Sequence, residues 1–442
     1  MSTETTDSPE GTESGVLAVV ESQLSNFGLT PLRAAHELGF HTVLVSNDPD
    51  RYRVVSLAEE VYAKHLDEIV TADTNSVDAV VAALAPFHEA GRLRGVMTVT
   101  DYNIPIVAEV AARFGLPGLN PQAARNCRDK LLMRNACRAA GVAVPGYHQA
   151  TSEDDALAAA DRFGYPCVVK PMTESASIGV TLCRTPAEVI AAYRDLTASP
   201  TDFRGQPRRP GALVEEYLIG FEVSVESVLV DGERHLIGVT DKALGVHPHF
   251  VEMGDTFPSM LSEPVRRSCT DLARSALDAV GHDFGAAHVE VKVTADGPRI
   301  VEVNGRMAGA EITQLIREAT GLYLQREVVR LHTGQPADLT RTHDRAAASR
   351  YLAAHRVGTL ARIQGEELAR RVPGVVEVDL EAHPGDTVRP AESNLDLLGY
   401  VVANGATTGD AVRRAESALG QLAPVYVADA PERFDENDEA TR

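Results

Sequence analysis

Residues 287–307 read AHVEVKVTADGPRIVEVNGRM and contain the clearest structural signal in the 442-residue chain. Polar and apolar residues alternate on both sides of Asp296-Gly297, which is the pattern of two strands joined by a tight turn. We therefore predict a hairpin in which Ala287–Val293 pairs with Arg299–Val303. Because side chains alternate between the faces of a strand, residues two apart in sequence share a face.

Two acids and an amide share one face of this predicted hairpin. Glu302, Asn304 and Arg306 alternate along the second strand, and Glu290 lies on the first. If Glu290 pairs near Glu302, two carboxylates and an amide oxygen converge, and such hard oxygen ligands suit Mg²⁺. Arg306 would then lie where phosphoryl charge develops. The alternative is a solvated strand face with a charge pair, although a carboxylate in so apolar a strand is costly without a metal or partner.

A second candidate site lies upstream, where the predicted apolar strand Pro166–Lys170 ends in a lysine. The loop that follows includes residues 174–179 (ESASIG), which are mostly small. A lysine in this position can reach a phosphate while loop amides cradle another. The alternative is a hairpin tip whose lysine extends into solvent. The sequence has no G-x-x-x-x-G-K-[ST] motif, so this is not a Walker A site.

A third segment, residues 212–222 (ALVEEYLIGFE), is an apolar strand that ends in two acids, an aromatic residue and a glycine. Alone it is a weak signal, because a hairpin edge explains it equally well. It leads into another predicted hairpin, in which Glu222–Val230 and His235–Thr240 flank Asp231-Gly232. The Gly, Pro and His content of residues 240–259 then predicts a loop.

Alternating strands and helices precede these sites and predict a parallel sheet with crossover helices. The predicted strands are 16–21, 42–45 and 95–100, and the predicted helices are 29–38, 77–89 and 104–114. The arrangement is Rossmann-like, but the first strand is not followed by G-x-G-x-x-G, so we expect no dinucleotide site. Asp101 follows the last strand, at a carboxyl end where open α/β sheets bind ligands.

Composition argues against several classes of protein. The formal net charge of −21 argues against the basic surface of a nucleic-acid-binding protein. The sequence has no run of 18 apolar residues and no signal peptide pattern at its N-terminus, so we expect no membrane association. Five scattered cysteines suit reduced thiols in the cytoplasm. The acidic ends, residues 1–15 and 429–442, are expected to be disordered tails.

Lysine is rare in this chain. Of 42 basic residues, five are lysines, namely Lys64, Lys130, Lys170, Lys242 and Lys292. Arginine and lysine are not interchangeable where a compact charge is needed, so each lysine is a candidate functional residue. Chance retention is the alternative.

In this order, the motifs resemble those of the ATP-grasp superfamily: Lys130, then Lys170 with its loop, then E-E-Y-L-x-G-x-E, then E…E-x-N-x-R. The motif-bearing part covers residues 126–330. Residues 304–311 (NGRMAGAE) look like the carboxylate–amine ligase branch, which includes L-amino acid ligases of the bacilysin-synthetase type. The resemblance implies an ATP-grasp fold, with two α+β subdomains that clamp ATP. The implied division is a Rossmann-like α/β domain at 16–125, a lid subdomain at 126–214, a central subdomain at 215–340 and a mixed α+β C-terminal domain at 341–428.

The resemblance also implies which residues bind ATP and Mg²⁺. The ATP site would comprise Lys130, Lys170, Glu174, Ser175, Ala176, Ser177, Gly179, Glu215, Glu216, Tyr217, Leu218 and Glu222. The two lysines would hold the α- and β-phosphates, and residues 174–179 would close over the phosphates as a lid. Glu215 would accept from the adenine amino group, the Tyr217–Leu218 backbone would read the adenine edge, and Glu222 would bind the ribose.

Metal and catalytic roles complete this implied site. Two Mg²⁺ ions would be held by Glu290, Glu302 and Asn304. Arg306 would contact the transferred phosphoryl group and, with Lys170, is a catalytic candidate.

Substrate contacts are implied on the side of residues 240–259. In similar ligases the stretch matching Glu252–Asp255 lines the acceptor pocket, so we expect Glu252 and Asp255 to bind an ammonium or other cationic group. Other expected substrate contacts are Asp101, His288, Arg306, Gly309 and, from the third domain, Arg350. A core histidine is the alternative for His288, and polar loop residues are the alternative to metal ligands for His247 and His249.

The activity implied by the resemblance is ATP-dependent ligation of a carboxylate to an amine through an acyl phosphate, with release of ADP and phosphate. The expected substrates are amino acids or related small carboxylic acids and amines, for an L-amino acid ligase or dipeptide synthetase of specialised metabolism. A biotin-carboxylase-like or purine-pathway ATP-grasp ligase is one alternative. A nucleotide-binding regulator without catalysis is another. We expect a cytoplasmic protein and, by analogy, a homodimer.

Overall fold

The computed structural model describes residues 14–427. Apart from residues 14 and 15, the predicted tails lie outside this range. No helix in the described part is long and apolar enough to cross a membrane.

The N-terminal part is a four-stranded parallel sheet with the strand order β3-β2-β1-β4, flanked by helices. Its elements are β1 (Val16–Val20), α1 (Asn26–Glu37), β2 (His41–Ser46), α2 (Ala58–Lys64), β3 (Glu68–Thr71), α3 (Val77–Glu89), β4 (Leu93–Met97) and α4 (Ile104–Phe114), with 3₁₀ turns at Pro49–Val54 and Asp101–Asn103. All five residues of β1 are buried, as expected for a central parallel strand. The Rossmann-like prediction is confirmed, although β4 lies two to three residues before its predicted position.

The next part has a four-stranded antiparallel sheet in the order β5-β8-β6-β7. Its elements are α5 (Pro121–Arg128), α6 (Lys130–Ala139), β5 (Tyr147–Ala150), α7 (Glu153–Phe163), β6 (Cys167–Lys170), β7 (Thr181–Cys183), α8 (Pro186–Thr197) and β8 (Ala212–Glu216). Asp129 caps α6 by accepting from the amides of Leu131 and Leu132, which fixes the first turn of that helix at Lys130.

The central part contains both predicted hairpins. Its elements are β9 (Gly220–Val230), β10 (Glu233–Leu244), β11 (Glu252–Phe257), α9 (Glu263–Val280), β12 (Gly285–Thr294), β13 (Gly297–Asn304), α10 (Ile312–Thr320) and α11 (Leu324–His332). Asp231 and Gly232 both adopt positive φ, at 50° and 80°, as a two-residue turn of the hairpin type requires.

The C-terminal part extends the central sheet. Its elements are β14 (Ala346–Ala353), β15 (Gly358–Gln364), α12 (Glu366–Arg370), β16 (Val375–Leu380), β17 (Thr387–Val388), β18 (Leu397–Gly405), α13 (Thr408–Leu419) and β19 (Ala423–Tyr426), with a 3₁₀ turn at Asn394–Asp396. One eight-stranded sheet runs β13-β12-β9-β10-β11-β14-β18-β16, and a smaller one runs β17-β15-β19. The large sheet therefore crosses the predicted boundary between residues 340 and 341.

The predicted loop at residues 240–259 is wrong over most of its length. β10 continues to Leu244, and Glu252–Phe257 forms β11, which leaves a connection of seven residues, 245–251. β11 is hydrogen-bonded to β10 on one side and to β14 on the other. Pairing on both sides stabilises a strand whose Gly and Asp content locally disfavours it.

Candidate active site

A cavity of about 610 Å³ lies where the parts of the chain meet. The predicted site residues that line it are Asp101, Lys130, Lys170, Glu174, Ser175, Ala176, Ser177, Glu215, Glu216, Tyr217, Leu218, Glu222, Glu252, His288, Glu290, Glu302, Asn304, Arg306 and Gly309. Three predicted site residues, Gly179, Asp255 and Arg350, do not line it. Residues separated by up to 208 positions in sequence thus share one cavity.

The hairpin register brings the predicted metal ligands together. Glu290 pairs directly with Glu302, and His288 pairs with Asn304. The Asn304 amide lies 3.2 Å from Glu302 Oε1 and from Asp101 Oδ1, so its nitrogen faces both carboxylates. The three predicted ligands therefore lie on neighbouring positions of the hairpin and line the same cavity, with the Asn304 nitrogen turned toward Glu302 and Asp101.

A lysine accompanies each of these two glutamates. Lys242 Nζ lies 2.9 Å from Glu290 Oε1, and Lys130 Nζ lies 3.1 Å from Glu302 Oε1. Burial opposes ionisation of Glu290, but Lys242 and His288 outweigh it and hold its pKa well below the usual range. Both carboxylates are thus positioned and charge-balanced by the protein itself.

His288 is a charged member of this group. Its Nδ1 lies 2.9 Å from Glu226 Oε1 and its Nε2 lies 3.4 Å from Glu290 Oε1. Burial lowers the pKa of His288, but Glu226 more than offsets this and the net result is a pKa of about 9. At neutral pH the imidazole is therefore protonated and adds positive charge beside Glu290.

Lys170 and Glu215 form a buried ion pair together with Arg134, which sequence reasoning missed. Lys170 Nζ lies 2.7 Å from Glu215 Oε2, and Arg134 donates to both oxygens of Glu215 at 2.7 and 3.2 Å. Burial opposes ionisation of Glu215, but the two cations outweigh it and lower its pKa to about 2. The signal for Arg134 was its spacing: it follows Lys130 by four residues and so shares a face of α6.

The predicted lid loop, residues 174–179, contributes Glu174 to Ile178 to the cavity lining and is held by hydrogen bonds. Lys130 Nζ donates to the carbonyl of Glu174 at 2.7 Å, and Ser177 Oγ donates to the carbonyl of Phe250 at 2.8 Å. Ala176 and Ser177 adopt positive φ of 54° and 59°, a conformation that costs energy for residues with a Cβ. The surrounding contacts therefore impose the shape of this loop.

The lid loop also contacts the C-terminal part. The amide of Asn394 donates to the carbonyl of Ala176 at 3.2 Å, and Asn394 Oδ1 accepts from the amide of Glu252 at 2.9 Å. Asn394 thereby joins the lid loop to β11.

Arg306 is paired with Asp101 rather than with Glu302. Its Nε and Nη2 donate to the two oxygens of Asp101, both at 2.6 Å, and Ser175 Oγ donates to Asp101 Oδ2 at 2.6 Å. Burial raises the pKa of Asp101, but Arg306 outweighs it and the pKa falls to about 2. Asp101 thus connects the N-terminal sheet to Arg306 and to the lid loop.

The predicted acidic pocket already contains an ammonium group, that of Lys242. Its Nζ lies 2.6 Å from Glu252 Oε2. Asp255 is fully buried, and no described residue hydrogen-bonds to either of its carboxylate oxygens. Burial and the neighbouring Glu252 raise the pKa of Asp255 well above its usual value.

Arg350 does not reach the cavity, so that expectation is wrong. Its guanidinium donates to the carbonyl of Ser349 at 2.7 Å and to that of Asp255 at 3.3 Å, because β14 lies directly beside β11.

The other residues singled out from the sequence have ordinary polar contacts. His247 contacts the Tyr217 hydroxyl at 3.0 Å, and His249 forms a backbone bridge with Thr181. Lys292 lies 3.5 Å from Glu222 in the cavity wall, and Lys64 is exposed on α2.

Three segments of the chain match models of known protein families. Family models match residues 32–118 (ATP-grasp N-terminal domain), 163–314 (ATP-grasp domain) and 350–427 (L-amino acid ligase C-terminal domain 2). An uncharacterized protein of Sinorhizobium fredii is 32% identical over 387 residues, which cover 88% of this chain and 78% of that protein.

Two functionally described proteins are more distant. Alanine–anticapsin ligase of Bacillus subtilis is 28% identical over 319 residues, covering 68% of this chain and 66% of the ligase. The crystal structure of L-amino acid ligase from Bacillus licheniformis has a TM-score of 0.79 at 20% identity, covering 95% of this chain and all of that one. This last likeness shows the fold.

Proposed function

The chain belongs to the ATP-grasp superfamily, in the carbon–nitrogen ligase branch that includes the L-amino acid ligases, and we propose that it joins an amino acid or related carboxylic acid to an amino acid through an acyl phosphate. The observation that carries this proposal is the convergence of two lysines, two glutamates, an asparagine and an arginine in one cavity. These are the groups that phosphoryl transfer to a carboxylate needs.

ATP would bind between the lid sheet and the large sheet. Lys130 and Lys170, both buried at the cavity wall, would hold the α- and β-phosphates. Glu215 would face the adenine, with the Tyr217–Leu218 backbone at the adenine edge and Glu222 at the ribose. The ion pairs of Glu215 with Arg134 and Lys170 fix its carboxylate before any ligand binds, which supports a preorganised adenine site.

Mg²⁺ fits the donor set at the hairpin, because the carboxylates of Glu290 and Glu302 and the side-chain oxygen of Asn304 are hard oxygen ligands. Bound Mg²⁺ would neutralise charge on the β- and γ-phosphates. We propose two Mg²⁺ ions, which is the number that the resemblance to the ATP-grasp superfamily implies. Lys242 and Lys130 hold the two glutamates now and would retain them in place as the ions enter.

The reaction would proceed in two displacements. A carboxylate oxygen attacks the γ-phosphorus, the bond to the β-phosphate oxygen breaks, and ADP leaves. The amine nitrogen then attacks the acyl carbon and loses a proton, the bond to the phosphate oxygen breaks, and phosphate leaves. Arg306, held by Asp101, would stabilise the phosphoryl charge, and the lid loop would keep water from the acyl phosphate.

The L-amino acid ligase C-terminal match over residues 350–427 favours this proposal over a carboxylase or a purine-pathway ligase. The full set of candidate metal ligands favours it over a regulator without catalysis. We further propose that the protein works in the cytoplasm, since all five cysteines, which lie within the described residues, are buried and free. A role in specialised metabolism and a homodimer are parts of the same proposal.

Incubation with Mg-ATP and pools of amino acids and small carboxylates tests the proposal. We expect amino-acid-dependent release of ADP and phosphate, with a product whose mass is that of two substrates less one water. Release of AMP and pyrophosphate would instead indicate adenylation and overturn it.

A variant of the metal site extends this test. Glu302→Ala is expected to lower turnover by at least about a hundredfold, because one predicted metal ligand is lost. Glu233→Ala, which removes an exposed glutamate at the start of β10, should leave turnover unchanged. Full turnover of Glu302→Ala would show that the metal assignment is wrong.

A further inference from the structure

Four carboxylates converge at one wall of the structure, where the N-terminal, central and C-terminal parts meet. We name this group the acidic wall and define it as Glu311, Glu377, Asp379 and Glu381. The last three alternate along β16 and its end, so they share a face, and Glu311 immediately precedes α10. Glu311 and Glu381 line the cavity.

No cation of the described chain balances the acidic wall. Within residues 14–427, Glu377 and Asp379 accept hydrogen bonds from neutral groups: the Tyr400 hydroxyl and Gln314 for Glu377, and Asn26 and Ser56 for Asp379. Burial and the three neighbouring carboxylates raise the pKa of Glu311 well above its usual range. Burial and the neighbouring Asp379 likewise raise the pKa of Glu381, to about 7. The two wall carboxyls that line the cavity therefore lack a cation that would stabilise their ionised forms, and a positively charged ligand would supply it.

Elsewhere in the cavity, acidic side chains are paired with basic ones. Asp101 is paired with Arg306, Glu215 with Arg134 and Lys170, Glu290 with Lys242, and Glu302 with Lys130. Leaving a buried carboxylate without a cation is costly, so such a wall is expected where a ligand supplies the positive charge.

An aromatic hydroxyl without a partner lies at the same place. Tyr351 is 94% buried and lines the cavity, and no described residue hydrogen-bonds to its hydroxyl. It pairs across the sheet with Tyr400, at 6.1 Å between ring centroids, and Tyr400 contacts Glu377. A free phenol oxygen and two aromatic rings beside carboxylates suit a protonated nitrogen, through hydrogen bonds and cation–π contacts.

The chemistry of the wall favours an organic cation over a metal ion. The paired rings of Tyr351 and Tyr400 lie beside these carboxylates, and aromatic faces attract an alkylammonium or guanidinium group. We propose that the acidic wall binds a protonated nitrogen carried by one of the two ligase substrates, remote from the reacting group. The substrate class is thus a basic amino acid or a diamine, an inference that rests on the proposed function.

Binding measurements on the full chain test this inference without requiring turnover. The protein, saturated with Mg²⁺ and a non-hydrolysable ATP analogue, would be titrated calorimetrically with matched pairs: lysine and norleucine, arginine and citrulline, 1,5-diaminopentane and pentylamine. In at least one pair we expect the charged member to bind about tenfold tighter or more, the effect of one charged hydrogen bond.

Conservative variants identify the residues responsible. Glu311→Gln and Glu381→Gln should each reduce this preference several-fold while leaving the affinity of the neutral member unchanged. Tyr351→Phe should weaken binding of the charged member. Glu367→Gln, which changes an exposed carboxylate on α12 of the same part, is the matched control and should keep the full preference.

Equal affinity within every pair, or a preference that survives both glutamine variants, would overturn the inference. So would metal-ion binding that Glu381→Gln abolishes. Glu311→Gln removes a repelled carboxylate and should not lower the unfolding temperature, so loss of binding would not reflect misfolding. Failure of the ligase itself would be seen separately, as absence of phosphate release with every substrate pool.

Discussion

Arg134 shows, for a single residue, the limit of what local sequence patterns can predict. It has no exposed surface, and its partner Glu215 lies 81 positions away. Lys130 and Lys170 stand out because lysine is rare here and because both match the ATP-grasp motif order, whereas Arg134 is one of many arginines. Its four-residue spacing from Lys130 was the only local signal, since the pairing depends on contacts between distant segments.

Glu215 gives the site a pH dependence that can be measured. Its pKa of about 2 lies below the usual 4.5, so the stability that its ionised form contributes is present above about pH 4.5 and is lost as the pH falls toward 2. The loss is about 3 kcal/mol, at 1.36 kcal/mol per unit.

Urea unfolding of the wild type and of Glu215→Gln between pH 2.5 and 7 checks this prediction. The glutamine variant should be less stable at pH 7, and the difference should shrink as the pH falls. Glu233→Gln serves as the control. Its free energy of unfolding should differ from that of the wild type by a constant amount near zero at every pH. If Glu215→Gln also showed a constant difference, the paired state of Glu215 would be wrong.

Among the elements, the lid loop is the one whose mobility bears on catalysis. Ser177→Ala removes the hydrogen bond to the carbonyl of Phe250, which is worth about 1 kcal/mol. We expect about fivefold faster amide exchange in residues 174–179 and more phosphate released per molecule of product, because water enters a looser site.

Hydrogen–deuterium exchange and the ratio of phosphate to product measure these two effects. Ser199→Ala, at an exposed position of the same part of the chain, is the matched control. Unchanged exchange in the lid loop of Ser177→Ala would mean that other contacts hold the loop.

Elements with strong local signals were predictable, and those stabilised by distant pairing were not. The hairpin at residues 287–307 and helices α3 and α4 follow from alternation, periodicity and turn residues. β11 has no such signal: Gly254 and Asp255 disfavour a strand, and the hydrogen bonds that impose it come from β10 and β14. The Glu290–Glu302 pairing was therefore predictable, whereas the contact of Lys242 with Glu252 was not.

At the scale of the whole molecule, the eight-stranded sheet connects the central part to the C-terminal part. Because β11 is bonded both to β10 and to β14, the central and C-terminal parts share backbone hydrogen bonds. We expect the amides of β11 and β14 to exchange through one cooperative opening, with free energies that agree within about 1 kcal/mol.

Native-state hydrogen exchange measures these free energies. The amides of β3, an edge strand of the separate N-terminal sheet, serve as the control for β11 and β14. If the amides of β14 exchanged at a free energy well below that of the β11 amides, the central and C-terminal parts would be separate folding units.

The three-part layout of the chain was predictable from its order of motifs, but the shared sheet was not. The pairing of Asp255 with Ser349 joins residues 94 positions apart, and the acidic wall depends on that same junction. Residues from three parts meet there, and only the assembled fold brings them together.

The acidic wall has a consequence for self-association. β16 is an outer strand of the large sheet, and an outer strand exposes unpaired backbone groups on which another chain can add. Charged residues along such a strand oppose this addition, because stacking a second copy would place like charges opposite one another. We therefore expect Glu377, Asp379 and Glu381 also to protect this edge against aggregation, so the residues proposed to bind a substrate cation would help keep the sheet from growing.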